Sequence, residues 1–290
     1  MKKRFYLLII TLISKFTLNQ LEKMANYIGF IAYVLIKDKR QLINRNLNLC
    51  FPEKNKKEIK EMTKQHFKSL SRGLLFATKN INPKIQIPIK IIGKKALDQA
   101  IKEQKAIIFI YGHFTLMEIC IKVMSQALSP LKISAIYTPP KNKVSHNLIK
   151  KLRKPYVNLI PKNETKKALK VLQKKEALVI APDQYLKDHK RHKEVPFFNH
   201  RKKIISATST LTKNNDSVVF FMNFTYDTKQ GFTLTLKQSN EIQGSSQEKE
   251  AKLISQFLQE SIKKEIPNYL WIVNQFKLDR KDYRSNNPKV

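Results

Sequence analysis

The chain has 290 residues, long enough to bury a substantial core, and is most simply one domain with a helical preface. Its 56 Lys and Arg residues against 22 Asp and Glu residues give a formal net charge of +34, so we expect an anionic partner: phospholipid headgroups, an acidic protein or nucleic acid. Two cysteines, Cys50 and Cys120, exclude a disulfide framework and a cysteine metal cluster, and they fit a reducing compartment.

The amino terminus predicts attachment to a membrane. Basic residues at 2–4 precede an apolar run over 5–13, and the small-residue cleavage site of a secretory signal does not follow. Extended to residue 21, this run is at the short limit for a span, which needs ~20 residues. A second apolar stretch over 24–36 is followed by basic residues. Both segments are therefore predicted to be amphipathic helices on anionic headgroups, with the protein body in the cytoplasm.

After residue 45 the sequence predicts alternating helices and short strands. Asn55 and Glu58 form a capping pair for the first of these helices. Strands are predicted at 89–92, 106–111, 132–137, 177–181, 217–224 and 232–237, and further helices at 94–104, 143–153, 165–175, 246–264 and 269–276. This alternation predicts an α/β fold with a central mixed sheet flanked by helices. We divide the chain into membrane-anchor helices, 1–45, and one α/β domain, 46–290.

The segment 105–120, KAIIFIYGHFTLMEIC, is predicted to carry the functional site. Its apolar run ends at Gly112, so His113 should lie at the carboxyl end of a buried strand, where open α/β sheets bind ligands. On one continuous helix His113 and Glu118 would lie ~140° apart, but a His in the turn can meet a Glu one helical turn later. The carboxylate would fix the imidazole tautomer and leave one ring nitrogen to take a proton from a hydroxyl. The alternative is a helix-capping His beside a solvated Glu.

Five motifs, in register, resemble the late acyltransferases of lipid A biosynthesis. In chain order they are Asn46-Leu47-Asn48-Leu49-Cys50-Phe51-Pro52-Glu53, His113-Phe114 with Glu118, Ala181-Pro182-Asp183, Val195-Pro196-Phe197-Phe198 and Tyr269-Leu270-Trp271. The resemblance extends from the amino-terminal apolar segment to Lys277 and implies an acyltransferase-like α/β domain. It also implies an enzyme on the cytoplasmic face of the bacterial inner membrane that moves a fatty acyl chain from acyl carrier protein to a hydroxyl of a lipid A precursor.

The same resemblance implies the site residues. The catalytic pair of the family's H-x4-E motif falls on His113 and Glu118, and its functional Arg and Asp fall on Arg153 and Asp183. Basic neighbours in KKLRK offer alternatives to Arg153. Asp183 would tether a cationic side chain or shape the rim of the site, unless it is only a turn residue after a proline.

These residues suggest a mechanism without a cofactor. We expect His113 to be the general base on the acceptor hydroxyl, oriented by Glu118. Helix amino-terminal amides after Gly112, or Arg153, would stabilise the oxyanion. A covalent acyl-enzyme is not indicated, because no Ser or Cys lies in an elbow such as G-x-S-x-G. No metal or redox cofactor is inferred.

The densest basic segment, 187–203, encloses the apolar tetrad 195–198. A run of charge is usually a solvated face. Here we expect a loop that faces the membrane or an acyl chain, with Lys and Arg on phosphates or the acidic carrier and with Phe197 and Phe198 on lipid. His189, His192 and His200 lack companion ligands at metal spacing and are predicted to be surface residues.

The sequence departs from the family pattern at three places. Thr115-Leu116-Met117 stands where many members have Gly-Asn-Trp, Tyr137-Thr138-Pro139 where they have Tyr-Arg-Pro, and Val273-Asn274-Gln275-Phe276-Lys277 where His-Arg-Arg-Phe-Lys is common. We therefore expect the residues of acyl transfer to be present and recognition of the phosphorylated sugar to differ.

Two other functions stay open. One is an acyltransferase with a glycerol-phosphate or another lipid acceptor, although this chain has Glu118 in place of that group's Asp and lacks an F-P-E-G-type segment. The other is a non-enzymatic cationic protein that binds membranes or nucleic acid. Because the basic residues are spread over the whole chain and form no known nucleic-acid module, no nucleic-acid partner is expected.

Overall fold

The computed structural model describes residues 2–140, 142–184, 192–213 and 215–276. The helices are α1 (Lys2–Ile13), α2 (Leu18–Leu35), α3 (Lys37–Cys50), α4 (Lys56–Ala77), α5 (Lys94–Lys102), α6 (Met117–Ala127), α7 (Lys143–Arg153), α8 (Thr165–Gln173), α9 (Thr208–Thr212) and α10 (Gln247–Lys264). The strands are β1 (Ile89–Ile92), β2 (Ala106–Ile110), β3 (Ile133–Tyr137), β4 (Asn158–Pro161), β5 (Ala177–Ile180), β6 (His192–Phe197), β7 (His200–Ile205), β8 (Ser217–Asp227) and β9 (Gly231–Ser239). Short 3₁₀ turns cover Thr78–Ile81 and Ile266–Asn268.

Seven strands form one mixed sheet in the order β1-β9-β8-β2-β5-β3-β4. Neighbouring strands are parallel, except that β8 and β9 form an antiparallel hairpin. All five residues of the central strand β2 are buried, as expected for a strand covered on both faces. The predicted α/β fold with a central mixed sheet is confirmed.

The register between β2 and β5 brings two chain segments to one edge of the sheet. Ile110 pairs with Ile180, and the Tyr111 amide donates to the Ile180 carbonyl at 3.0 Å. Because the two strands are parallel neighbours and end at paired residues, both chains leave the sheet at the same edge. His113 and Asp183, each three residues further on, therefore emerge side by side.

Helix α2 packs closely along α4. A Cβ on Gly29 would lie only 2.5 Å from the Cα of Lys68, so the two backbones approach as closely as they do only because glycine occupies this position. Glu22 and Arg72 form an ion pair at 2.7 Å across the same interface. The amino-terminal helix α2 is thus part of the folded body.

The outward faces of α1 and α2 remain apolar. The exposed large hydrophobic side chains are Leu8, Ile9 and Leu12 of α1, Phe16 between the helices, Tyr27, Ile28, Phe30, Ile31, Val34 and Leu35 of α2, and Ile36 after it. Lys79 fastens the end of α1 by donating to the carbonyls of Ser14 at 2.8 Å and Phe16 at 2.5 Å. Within the described ranges, no helix combines the length and the apolarity that crossing a bilayer requires.

The division expected at residues 45 and 46 falls inside α3. Ile43 and Leu47, one on each side of it, are fully buried in the same hydrophobic core. The separate anchor and catalytic units stay a prediction.

The helix predicted at 269–276 is wrong. A 3₁₀ turn containing Pro267 leads instead into an extended Tyr269, which forms a β-bridge with Phe114. Pairing with a distant loop outweighs the local apolar pattern here. Helices α3 and α9 and strands β4, β6 and β7 are not predicted from the sequence.

His66 of α4 predicts an acid-sensitive fold. It is fully buried, and its Nδ1 donates to the Pro267 carbonyl at 2.8 Å. Burial lowers the pKa of His66 to about 4, against about 6.5 in an unfolded chain. The unfolded chain therefore binds the proton first, so the stability conferred by neutral His66 is complete above pH ~6.5 and is lost as the pH falls toward 4.

We expect the free energy of unfolding to fall by about 3 kcal/mol through this pH range, measured by denaturant titration at several pH values. In His66→Asn, whose amide can still donate to the Pro267 carbonyl, the protein should be less stable at pH 7 but its stability should vary less with pH. Equal pH dependence in the two proteins would contradict the assignment to His66.

Candidate active site

The four predicted site residues form two hydrogen-bonded pairs. His113 pairs with Asp183, and Glu118 pairs with Arg153. His113 and Arg153 both line one cavity of about 460 Å³. The structure thus places one member of each pair at the same internal space.

Asp183 is fully buried and holds His113 through both of its oxygens. Oδ1 lies 2.5 Å from Nδ1 of His113, and Oδ2 accepts the main-chain N–H of His113 at 2.9 Å. The Tyr269 hydroxyl also donates to Oδ2, at 2.9 Å. Asp183 therefore connects His113 to Tyr269 and is not only a turn residue.

The charge state of Asp183 determines the tautomer of His113. Burial alone would raise the pKa of the Asp183 carboxyl, but the charge and hydrogen bonds of His113, together with the charge of Lys202, hold it well below its usual range. An ionised carboxylate only accepts hydrogen bonds, so Nδ1 carries the ring proton. In the neutral ring, the lone pair of Nε2 is then left to bind a proton.

Glu118 lies in the first turn of α6 and binds Arg153, the last residue of α7. Its Oε2 accepts from Nε of Arg153 at 2.8 Å, and its Oε1 accepts from Nη2. This two-pronged contact fixes the guanidinium plane. In the described part of the chain, Nη1 of Arg153 makes no hydrogen bond. The donor face of Arg153 is thus oriented by Glu118.

The predicted contact between Glu118 and His113 is wrong. The carboxylate on the imidazole is Asp183, because β5 is the parallel neighbour of β2 and its carboxyl end delivers Asp183 next to His113. Spacing within one segment suggested Glu118 as the partner of the imidazole. The order of strands in the sheet instead brings a residue 70 positions away to His113.

The loop that carries His113 is held on two sides. A Cβ on Gly73 of α4 would lie 1.9 Å from the Thr115 carbonyl oxygen, so only glycine permits this approach. On the other side, the Leu270 N–H donates to the His113 carbonyl at 2.9 Å, and the Thr115 N–H donates to the Asn268 carbonyl at 2.8 Å. These contacts fix the position of the His113 backbone.

Three of the main-chain amides after Gly112 already have acceptors within the protein. The amide of His113 donates to Asp183, that of Phe114 to the Gly112 carbonyl, and that of Thr115 to Asn268. The amides of residues 113–115 are therefore already engaged and are poor candidates for the oxyanion donor.

The cavity is mainly apolar. Its lining comes mostly from α6, β3, α7, β4, α8, β5, α9 and β8 and includes Met117, Cys120, Ile121, Met124, Ala135, Ile149, Val157, Ile160, Ala168, Val179, Ile180, Leu211 and Met222. Burial raises the pKa of the Cys120 thiol, so it stays protonated and is a poor nucleophile. Such a space suits an apolar ligand chain, with His113 and Arg153 as polar contacts.

The basic segment with the apolar tetrad forms the hairpin of β6 and β7. Phe197 is fully buried, with ring centroids 5.0 Å from Phe198, 6.2 Å from Tyr269 and 6.2 Å from Phe276. The prediction that Phe197 contacts lipid is therefore wrong, because alternation along β6 turns its ring inward. Phe198 is half-buried, and its contact with lipid stays a prediction.

Residues 187–191, including His189, lie outside the described residues. His192 and His200 are each half-buried rather than exposed. Among the residues that the structure describes, no cluster of His, Cys, Asp and Glu has the geometry of a metal site.

Sequence reasoning missed the residues that support Asp183. Tyr269 and Asn46 lie in motifs that were recognised without an assigned role. The Asn46 amide donates to the carbonyls of Trp271 at 2.7 Å and Val273 at 2.8 Å, which holds the segment that carries Tyr269. The sequence does not distinguish Lys202 from its neighbours, because it is one lysine within a long basic run.

Comparison with known proteins supports the resemblance. The family model for "Bacterial lipid A biosynthesis acyltransferase" matches residues 2–278. The chain is 23% identical over 257 residues to the lipid A biosynthesis palmitoleoyltransferase of Escherichia coli K12, covering 86% of this chain and 82% of the relative. It is equally similar to a lipid A biosynthesis acyltransferase of Shigella flexneri. With the lipid A biosynthesis lauroyltransferase of Escherichia coli K12 it shares 24% identity over 160 residues, 54% of this chain and 51% of the relative.

The pair of Glu118 and Arg153 should stabilise the fold as well as orient the guanidinium. The two side chains are 24% and 11% exposed, so the bidentate contact is poorly screened by water. We expect Glu118→Gln to lower the free energy of unfolding by about 2 kcal/mol in denaturant titrations. The matched variant Glu61→Gln, which loses a solvent-exposed pair with Lys64, should lose only about 0.5 kcal/mol. Equal losses would mean that the buried pair does not stabilise the fold.

Proposed function

The chain belongs to the bacterial lipid A biosynthesis acyltransferase family, and we propose that it moves a fatty acyl chain from an acyl-carrier-protein thioester directly to a hydroxyl of a lipid A precursor. The protein is an acyltransferase of lipid A biosynthesis. The observation that supports the detailed proposal is the imidazole of His113, held at Nδ1 by Asp183 and lining a mainly apolar cavity beside Arg153.

His113 acts as the general base. As the acceptor oxygen attacks the thioester carbonyl, Nε2 takes the hydroxyl proton and the new C–O bond forms. The negative charge of Asp183 stabilises the resulting imidazolium. When the tetrahedral intermediate collapses, the C–S bond breaks and the imidazolium returns its proton to the departing thiolate. A base placed in this way contributes about 10²–10⁴-fold in rate.

Arg153 stabilises the oxyanion of the tetrahedral intermediate. Its guanidinium is fixed by Glu118 through Nε and Nη2, and Nη1, which makes no hydrogen bond to the described residues, would donate to the oxyanion in the cavity. A preorganised cation is worth more in a water-poor site than in bulk water. Glu118 therefore acts through Arg153, which changes the expected His113 and Glu118 mechanism into two cooperating pairs.

Direct transfer needs no acyl-enzyme. The thiol of Cys120 lines the cavity, but burial raises its pKa and keeps it protonated. The acceptor hydroxyl then attacks the thioester itself. In the bound complex His113 would lie next to this hydroxyl.

The amino-terminal helices provide the membrane contact. Exposed apolar side chains on α1 and α2 would enter the interfacial layer, while exposed Lys37 and Lys39 at the start of α3 would contact anionic headgroups. This arrangement supports a position at the cytoplasmic face of the bacterial inner membrane, where the carrier protein and the precursor meet. The net charge of +34 also favours the acidic carrier as a partner.

Purified protein assayed with acyl carrier protein thioesters and lipid A precursors, with products identified by mass, tests the proposal. We expect His113→Ala and Asp183→Asn each to lower kcat/KM by about 10²–10⁴-fold, because the first removes the base and the second removes the charge that favours the reactive tautomer. His146→Ala, a histidine outside the cavity lining, is the control and should retain activity. Transfer to a glycerol-phosphate lipid alone, or an active His113→Ala protein, would contradict it.

A second assay tests whether the cavity holds the acyl chain. Ala168 of α8 is 1% exposed and lines the cavity, so Ala168→Phe would fill part of it. We expect kcat/KM to fall about tenfold or more for the longest accepted donor and to change little for the shortest, since the loss depends on chain length. Uniform loss across a series of chain lengths, with unchanged thermal stability, would place the acyl chain elsewhere.

A further inference from the structure

A buried polar chain meets Asp183 at Oδ2, the carboxylate oxygen that does not bind the imidazole ring of His113. The Tyr269 hydroxyl donates to Oδ2 of Asp183 at 2.9 Å and lies 3.5 Å from Oε1 of Gln275. The same Gln275 oxygen accepts from Nζ of Lys202. Tyr269, Lys202 and Gln275 are 0%, 3% and 6% exposed, so this chain is shielded from water.

The ammonium group of Lys202 is placed by aromatic rings. Its Nζ lies 5.1 Å from the ring centroid of Phe197, 5.6 Å from that of Tyr269 and 6.0 Å from that of Phe276. Ring faces attract a cation, but they do not replace the hydration of a buried ammonium by themselves. An anion nearby is the usual compensation, and Gln275 and Tyr269 connect Lys202 to the carboxylate of Asp183.

We propose that Tyr269 and Lys202 are positioning residues for acyl transfer: they hold Asp183 as an anion aimed at His113 and limit how strongly that anion favours the imidazolium. The Tyr269 hydroxyl disperses part of the carboxylate charge, and the Lys202 cation opposes it. His113 can then accept a proton from the alcohol and still return it to the thiolate. The proposal rests on the function proposed above, in which His113 is the base.

Other groups around the pair do not provide this control. Among the described residues, the titratable or charged groups near Asp183 and His113 are Tyr111 after β2, Cys120 on α6, Lys202 of β7, Tyr269 of the carboxyl-terminal segment, and the pair of Glu118 on α6 with Arg153 on α7 at the cavity. Burial raises the pKa of Tyr111 and Tyr269, so both stay neutral. Glu118 and Arg153 neutralise each other. Lys202 therefore supplies the fixed positive charge near the carboxylate.

The test measures the midpoint of the acidic limb of the kcat/KM profile against pH. Lys202→Met removes the cation but keeps a side chain of similar length. Removing this charge favours the imidazolium, so we expect the midpoint to move to higher pH by about one unit. Tyr269→Phe should move it in the same direction by a smaller amount, because only one hydrogen bond to Asp183 is lost. In both variants kcat should fall more than KM changes.

Lys203→Met is the matched control. Lys203 is the next residue of β7 and is exposed, so this variant makes the same change in net charge on the opposite face of the strand. Its midpoint should equal that of the wild type. An equal shift in Lys203→Met would overturn the proposal, because the effect would then reflect total charge rather than the polar chain that meets Asp183.

A second readout separates this proposal from the proposed function. The ring signals of His113 can be titrated by NMR in each variant and assigned by their loss in His113→Ala. Shifted midpoints in Lys202→Met and Tyr269→Phe support the coupling, whereas slower catalysis with unshifted midpoints in both assays overturns it. If Lys202→Met does not fold, the direction of the shift in Tyr269→Phe decides. Shifted ring signals in a protein that transfers no acyl group would overturn the proposed function alone.

Discussion

The buried carboxylate of Asp183 is the constraint on which the site depends. It accepts hydrogen bonds from the main chain and ring of His113 and from the Tyr269 hydroxyl, and each of these donors comes from a different part of the chain than Asp183 itself. An ionised group without exposure to water is stable only when such donors are all in place. The parallel register of β2 and β5 provides the first two donors, and the extended segment after α10 provides the third.

The second pair, Glu118 with Arg153, has a different task. It joins α6 to α7 and fixes the guanidinium at the cavity, while the first pair fixes the imidazole. In the proposed mechanism, the first pair accepts a proton and the second faces the developing oxyanion.

Helix α4 connects the amino-terminal helices to the site, because it packs closely against both. Helix α2 packs on α4 at Gly29, and α4 contacts the His113 loop at Gly73. If α1 and α2 lie on the membrane as proposed, the cavity keeps one position relative to the lipid surface, because backbone contacts of this closeness allow little sliding. The domain boundary expected at residues 45 and 46 does not interrupt this continuity, since α3 crosses it.

Local patterns in the sequence were enough to predict the α/β fold and the buried strand before His113, because side-chain periodicity and glycine punctuation act over a few residues. The family was predicted from five motifs in register, and that resemblance also implied His113, Glu118, Arg153 and Asp183 as site residues, but the sequence could not determine how they pair. That pairing follows from strand order, which places β5 beside β2 and brings together residues 70 positions apart. Tertiary contacts also determine three other features, because each depends on segments distant in the chain. These are the inward orientation of Phe197, the extended backbone of Tyr269 and the burial of Lys202.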